Sequence, residues 1–262
     1  MQLLEDYYSN YDEEGRLETT PHGRIEFATT MHYVERYLTP GARVLEVGAG
    51  TGRYSCAIAK KGYQVDALEL IAHNISLFKE NANPAWDINI HQGNALDLRI
   101  FTDNTFDITL VLGPMYHLYT EQDKHQAISE TLRVAKPGGV LFVAYIISDA
   151  AILEGFTHDK WALSEKIADG QVDPITFATR SEPKDIFELV RKEDIDTLMT
   201  PFHVERLHYV AAEGISRLLK TSLDTLNEEN FALYQRYHLA ICERPDIVGL
   251  SAHSLDIFRK LE

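Results

Sequence analysis

The chain has 262 residues, of which 45% are hydrophobic and 25% charged, so it can bury a large core without a disulfide or metal staple. Its 40 acidic and 25 basic side chains give a formal net charge of −15, which argues against partners rich in phosphate or anionic lipid. No apolar run approaches the roughly 18 residues of a membrane span. The acidic, aromatic first ten residues do not read as a secretion leader. Cys56 and Cys242 show no metal-ligand spacing, and a reducing cytoplasm is the expected location.

In chain order, residues 1–24 carry Tyr7, Tyr8, Tyr11, Arg16 and His22, which could close over a ligand or simply cap the domain. Residues 24–38 place Phe27, Met31, Val34 and Leu38 at spacings of four, three and four, one buried helix stripe. Pro40 and Gly41 stop it. Strands are expected at 43–47, 64–69, 87–91, 106–112 and 140–147, and helices at 52–61, 72–83 and 122–135. Gly62 and Pro84 end two of those helices, and Pro137, Gly138 and Gly139 turn the chain into the fifth strand. Regular strand–helix alternation argues a parallel sheet with right-handed crossovers. The pattern breaks at 148–185, where Phe156, Trp161 and Phe177 are scattered without a period. That segment reads as a helical insertion, either a lid or irregular packing. Residues 203–211 and 254–259 read as strands, and 227–241 as a helix. The whole, 1–262, is expected to be one domain.

The strongest chemical signal is the run Val44, Leu45, Glu46, Val47, Gly48, Ala49, Gly50, Thr51, Gly52. It passes from an apolar strand through a glycine-rich turn into a helix. Glycines permit φ > 0 and close ligand approach, and a helix start offers N–H groups to a carboxylate. The spacing is E-x-G-x-G-x-G. A dinucleotide fingerprint would want a third glycine where Arg53 stands. Glu69 ends the second strand, 17 residues after Gly52, where a carboxylate can accept from both hydroxyls of a ribose. Asn94 follows the third strand in Gln92, Gly93, Asn94, Ala95. The fourth strand runs into Leu112, Gly113, Pro114, Met115, Tyr116, His117.

These motifs, with Lys136, Pro137, Gly138 and Gly139 before the fifth strand, resemble in order those of class I S-adenosylmethionine-dependent methyltransferases, of the bacterial small-molecule type. Specific motifs cover about residues 41–147. The resemblance implies a Rossmann-like doubly wound α/β fold, mostly parallel, with strand order 3-2-1-4-5-7-6 and strand seven antiparallel, to which the helical insertion after strand five would add a lid. It also implies a cofactor site for S-adenosylmethionine built from Glu46, Gly48, Ala49, Gly50, Thr51, Gly52, Tyr54, Glu69, Leu70, Asn94, Ala95, Leu112 and Gly113. The family commonly has an acidic residue at position 94 to meet the adenine amino group. Here an uncharged amide oxygen would accept that bond.

The expected reaction is methyl transfer to O, N, S or C of a small molecule, with neither nucleic acid nor membrane as partner. His117 could take the acceptor's proton and Tyr116 stands beside it, although a histidine next to a tyrosine is as often a packing residue. Methyl transfer also proceeds without a base when the nucleophile is held in line and dry. His117, Glu121, Asp123 and His125 have no recognised ligand spacing, so no metal is expected. The alternatives are a non-catalytic S-adenosylmethionine-binding protein and a nicotinamide-dependent oxidoreductase. Arg53 counts against the latter, as does Thr120 four residues after Tyr116, where short-chain dehydrogenases have lysine.

Overall fold

A computed structural model describes residues 2–10, 20–158 and 163–262. Tyr11, Arg16, Trp161 and the His22 side chain lie outside the described residues.

The short β-branched runs become central strands because neither face meets water. Val44, Leu45 and Val47 are each 0% exposed, and each such side chain contributes about 1.5–3 kcal/mol by burial. Strands β1 (Arg43–Val47), β2 (Gln64–Glu69), β3 (Ile88–Gln92), β4 (Phe106–Val111) and β5 (Ala135–Ile147) run parallel. A two-residue strand, β6 (Leu189–Val190), pairs with the end of β5. Then β7 (Val204–Ala211) and β8 (His253–Lys260) complete the order β3-β2-β1-β4-β5-β8-β7. Setting β6 aside, this is the expected order, and β8 is antiparallel to both neighbours.

Helices cover both faces. Thr20 caps α2 (Pro21–Tyr37), its side chain accepting from Gly23 N–H, after the N-terminal α1 (Gln2–Asn10). Met31 and Val34 of α2 and Ile58 of α3 (Arg53–Ala59) pack with Val44, Val65 and Leu110. On the other face Ile128 of α5 (Glu121–Val134) packs with Leu45, Val47 and Leu68. Between them, α4 (Ala72–Asn81) sets Phe78 against Ala49 and Ala67.

The sequence reading differs in three places. Strand β5 begins at Ala135 rather than at 140, with a register shift between Phe106 and Ile108 as the ladder crosses the glycine turn. The described residues of 148–185 form α6 (Ser148–His158), α7 (Leu163–Ala168) and an antiparallel bridge between Val172 and Thr179. Of its aromatics, Phe156 is 68% exposed and Phe177 is 39% exposed, so they face solvent. Finally, α1, β6 and α8 (Lys192–Met199) have no counterpart in the periodic pattern. No helix among the described residues is long and apolar enough to cross a membrane.

Candidate active site

The strand order reverses at β1, whose neighbours β2 and β4 lead into opposite halves of the sheet. Ligands of open α/β sheets bind beyond the strand ends at such a point. Here a cavity of about 710 Å³ opens. Every candidate cofactor residue lines it except Gly52, as do Tyr116 and His117.

The glycine turn admits close packing and donates its N–H groups to the protein itself. Gly48, Gly50 and Gly52 have φ of 75°, 54° and 83°, the left-handed region. A Cβ at Gly48 would stand 2.6 Å from Pro114 Cδ, and one at Gly52 would stand 2.1 Å from Phe78 Cδ2. Gly52 therefore seats the turn on α4 instead of facing the cavity. Gly48 and Ala49 N–H donate to Leu68 O at 2.8 and 3.1 Å, and Gly50 N–H to Glu69 Oε2 at 2.8 Å. Ser55 N–H, in the first turn of α3, donates to Glu46 Oε2 at 2.9 Å, and Ser55 Oγ donates to the same oxygen. The expectation of a free helix start is corrected on this point, because the protein's own carboxylate occupies it.

Glu46 is 2% exposed, and burial pushes its pKa up to about 8 against the two Ser55 bonds, with Glu69 adding repulsion. Glu69 is likewise raised by burial, opposed by bonds from Ile71 and Gly50 N–H and the Asn74 amide. Its Oε1 accepts from Ile71 N–H at 2.9 Å and Asn74 Nδ2 at 3.3 Å. Each carboxylate oxygen has two lone-pair sites, so a ribose hydroxyl can still be met. Asn94 Oδ1 accepts from Leu96 N–H at 3.0 Å, a local turn that uses one of the two lone pairs it would offer to adenine.

Beyond β4, Pro114–His117 forms a 3₁₀ turn that buries Tyr116. His117 Nδ1 is 2.8 Å from Ile186 O, which only accepts, so Nδ1 holds the proton. Its Nε2 then accepts from the Tyr8 hydroxyl at 2.9 Å. Burial lowers the His117 pKa, which keeps the ring neutral. From α1, Leu4, Tyr7 and Tyr8 reach the wall, and from the 148–185 segment Ala151 and Glu154 do.

Sequence reasoning missed Glu26, Glu213, Arg217 and His253, which form the wall away from the glycine turn. Arg217 pairs with Glu154 at 3.1 Å. The potential ligand atoms of Glu26, Glu213 and His253 all lie within 4.8 Å of one another, close enough to hold a metal ion. Glu213 Oε1 already accepts from His253 N–H at 3.0 Å, and His253 Nδ1 is a further 3.0 Å contact of the same oxygen, so the cluster is satisfied as a hydrogen-bond network. The three residues stand 187 and 40 positions apart, and no local spacing could have flagged them.

The sheet, the glycine turn after β1 and the carboxylate ending β2 define a doubly wound α/β protein with a cavity at its switch point. Residues 45–143 match the family model described as a methyltransferase domain. The chain is 40% identical over 106 residues to a demethylmenaquinone methyltransferase of Renibacterium salmoninarum, covering 40% of this chain and 41% of that one. It is 33% identical over 108 residues to a 2-methyl-6-phytyl-1,4-hydroquinone methyltransferase of Synechocystis, covering 41% and 33%. The match thus spans less than half the length of either relative. A solved S-adenosylmethionine-dependent methyltransferase of Methanosarcina mazei shares the fold, with TM-score 0.56 and 18% identity over 87% of this chain and 97% of that one. The methyltransferase-domain match thus covers residues 45–143, and the likeness to the solved structure extends the shared fold over most of the chain.

Proposed function

We propose that the protein transfers the methyl group of S-adenosylmethionine to a small-molecule acceptor. One observation carries this reading: the glycine turn with Glu69 and the buried polar cluster at His253 face a single cavity, room for a donor and an acceptor side by side. The residues present fit the donor. Glu69 Oε1 already accepts from Ile71 N–H and Asn74 Nδ2, so Oε2, which accepts from Gly50 N–H, is the oxygen that would meet a ribose hydroxyl. Gly48, Ala49, Gly50, Thr51 and Tyr54 would hold its methionyl part, with Glu46 bracing the turn from below. Glu69, Leu70, Asn94, Ala95, Leu112 and Gly113 would hold the adenosine. When bound, the sulfonium supplies an activated methyl group. The chain's own contribution is to hold the acceptor in line and keep water out.

The described residues of 1–24 and 148–185 would form the cover, with Tyr8 latched to His117 and Glu154 to Arg217. In this reading His117 pins the N-terminal helix, and Tyr116 shapes the acceptor end. The names of the two relatives, a demethylmenaquinone and a hydroquinone methyltransferase, favour an aromatic acceptor. The net charge of −15 favours a small molecule over nucleic acid or membrane surface. The free thiols of Cys56 and Cys242 suit the cytoplasm.

S-adenosylmethionine and its demethylated product should raise the melting temperature, and NAD(H) should not. At about 100 times the dissociation constant the gain is roughly 2.7 kcal/mol. Stabilisation by NAD(H) alone would overturn the reading. A metabolite-extract assay with methyl-labelled donor then identifies the acceptor by the mass of its product.

A further inference from the structure

The sheet topology brings a histidine and two carboxylates to one point of the cavity wall. Ala211, the last residue of β7, pairs with Ser254 near the start of β8. Glu213 therefore lies just past the end of one strand and His253 at the beginning of its antiparallel neighbour, and Glu26 reaches them from α2. All three line the cavity. His253 Nδ1 is 3.0 Å from Glu213 Oε1 and 3.4 Å from Glu26 Oε2. One potential ligand atom from each residue lies within 4.8 Å of the other two. Ligands about 2.0–2.1 Å from a tetrahedral zinc ion stand roughly 3.3 Å from one another. Both histidine–carboxylate separations therefore match a coordination shell to within a few tenths of an ångström, and the flexible Glu26 stem can take up the remaining gap. The Glu213 carboxylate is held from outside the trio. Its Oε1 accepts from His253 N–H at 3.0 Å, and Ser251 Oγ, which accepts from Gly214 N–H at 2.9 Å, lies 3.3 Å from Oε2. Outer contacts of this kind orient metal ligands. Glu213 and His253 are 2% and 7% exposed, and the Glu26 side chain is 12% exposed. Taken by itself, the trio with a neutral ring carries two negative charges. Burial makes such charge costly, and a divalent ion cancels it.

We propose that Glu26, Glu213 and His253 Nδ1 bind a divalent transition-metal ion, zinc foremost, with a further coordination position open to the cavity. The donor set chooses the class of ion. An imidazole nitrogen among three ligands favours zinc and its neighbours over magnesium or calcium, which take oxygen. Three protein ligands are the number used by sites that keep an exchangeable position, whereas structural zinc sites close with four. The ion takes the place of the proton between Nδ1 and the carboxylates, and that proton is released to solvent or to the ring's other nitrogen. Glu213 Oε1 turns to the ion the lone pair it now directs at Nδ1, and keeps its bond from His253 N–H. The expectation of no metal concerns His117, Glu121, Asp123 and His125, which lie together in sequence. The present trio comes from three remote positions. Ion binding stands apart from the methyl-transfer reading, since it needs neither donor nor acceptor.

The full chain, dialysed against a chelator, is titrated with zinc chloride alone in a calorimeter, and with magnesium and calcium chloride for comparison. Wild type should take up one zinc ion per chain and bind it more tightly than either of the other two. His253→Gln and Glu213→Gln should each weaken zinc on the order of 10²-fold or more, beyond what loss of an outer contact costs. Glu26→Gln, on the helix side of the trio, leaves the β7–β8 wall intact and should weaken zinc as well, so the test survives misfolding of either strand variant. His203→Gln, at an exposed histidine before the other end of β7, should bind zinc as wild type does. Cobalt(II) in place of zinc should give the visible bands of a tetrahedral site, and acetohydroxamate, a small oxygen ligand, should shift them. Absence of stoichiometric zinc in wild type, or zinc affinity unchanged in both His253→Gln and Glu26→Gln, overturns the site. Cobalt bands that do not respond to acetohydroxamate overturn the open position. Neither result touches methyl transfer, which fails only if wild type binds neither sulfur nucleoside.

Discussion

Replacing Glu46 with glutamine isolates a buried carboxyl beneath the glycine turn. Its pKa is raised from an ordinary 4.5 to about 8, chiefly by burial. The folded group therefore keeps its proton through a window in which the unfolded group has lost it. Its stabilising contribution is complete below pH 4.5, falls as pH rises, and is gone once pH has passed through about 8. At about 1.36 kcal/mol per pH unit, that window corresponds to about 5 kcal/mol. Relaxation and water entry around the charged form reduce the figure, and we expect at least about 2 kcal/mol to be visible. For a chain of this size, that is roughly 4–8 °C in Tm. Glutamine keeps the shape and an oxygen for Ser55 N–H but does not titrate. Between about pH 5 and pH 9, the wild-type Tm should therefore fall at least roughly 4 °C further than that of Glu46→Gln. Calorimetric scans across that range measure it. Parallel Tm–pH curves would refute the assignment of a protonated Glu46 at neutral pH.

Gly52→Ala should destabilise the fold by about 2–5 kcal/mol, since its Cβ would meet the fully buried Phe78 ring at φ +83°; a urea midpoint within error of wild type would show that the turn relaxes freely. Glu69→Ala should weaken S-adenosylhomocysteine binding at least about tenfold in calorimetry. It also releases the N–H groups of Gly50 and Ile71, so Glu69→Gln is the companion that keeps an acceptor there. Affinity within about twofold of wild type in both would remove Glu69 from the ribose.

The parallel half of the molecule was legible because its signals are local. Five strands and the helices between them follow from apolar runs and glycine or proline stops, each read within about a dozen residues. The turn from Gly48 to Gly52 and the strand-ending Glu69 likewise declare themselves by adjacency. The same locality explains the misreadings. That a turn is rich in glycine does not tell whether its N–H groups face a ligand: Glu69 takes that of Gly50, and Glu46 takes that of Ser55 in the helix that follows. Likewise Asn94 was legible as a polar residue after β3, while its local bond to Leu96 was not.

What the chain alone determined, then, is the doubly wound sheet and the glycine-turn end of the cavity, because strand period, glycine conformation and strand-end carboxylates are properties of neighbours in sequence. What tertiary structure decided is the opposite wall of the cavity. Glu26, Glu213 and His253 are remote along the chain and meet only because β8 enters antiparallel between β5 and β7. That insertion sets the beginning of β8 beside the ends of its two neighbours, and burial then obliges the histidine and carboxylates to satisfy one another. Pairing across a sheet depends on register and strand order, which no short window of sequence encodes.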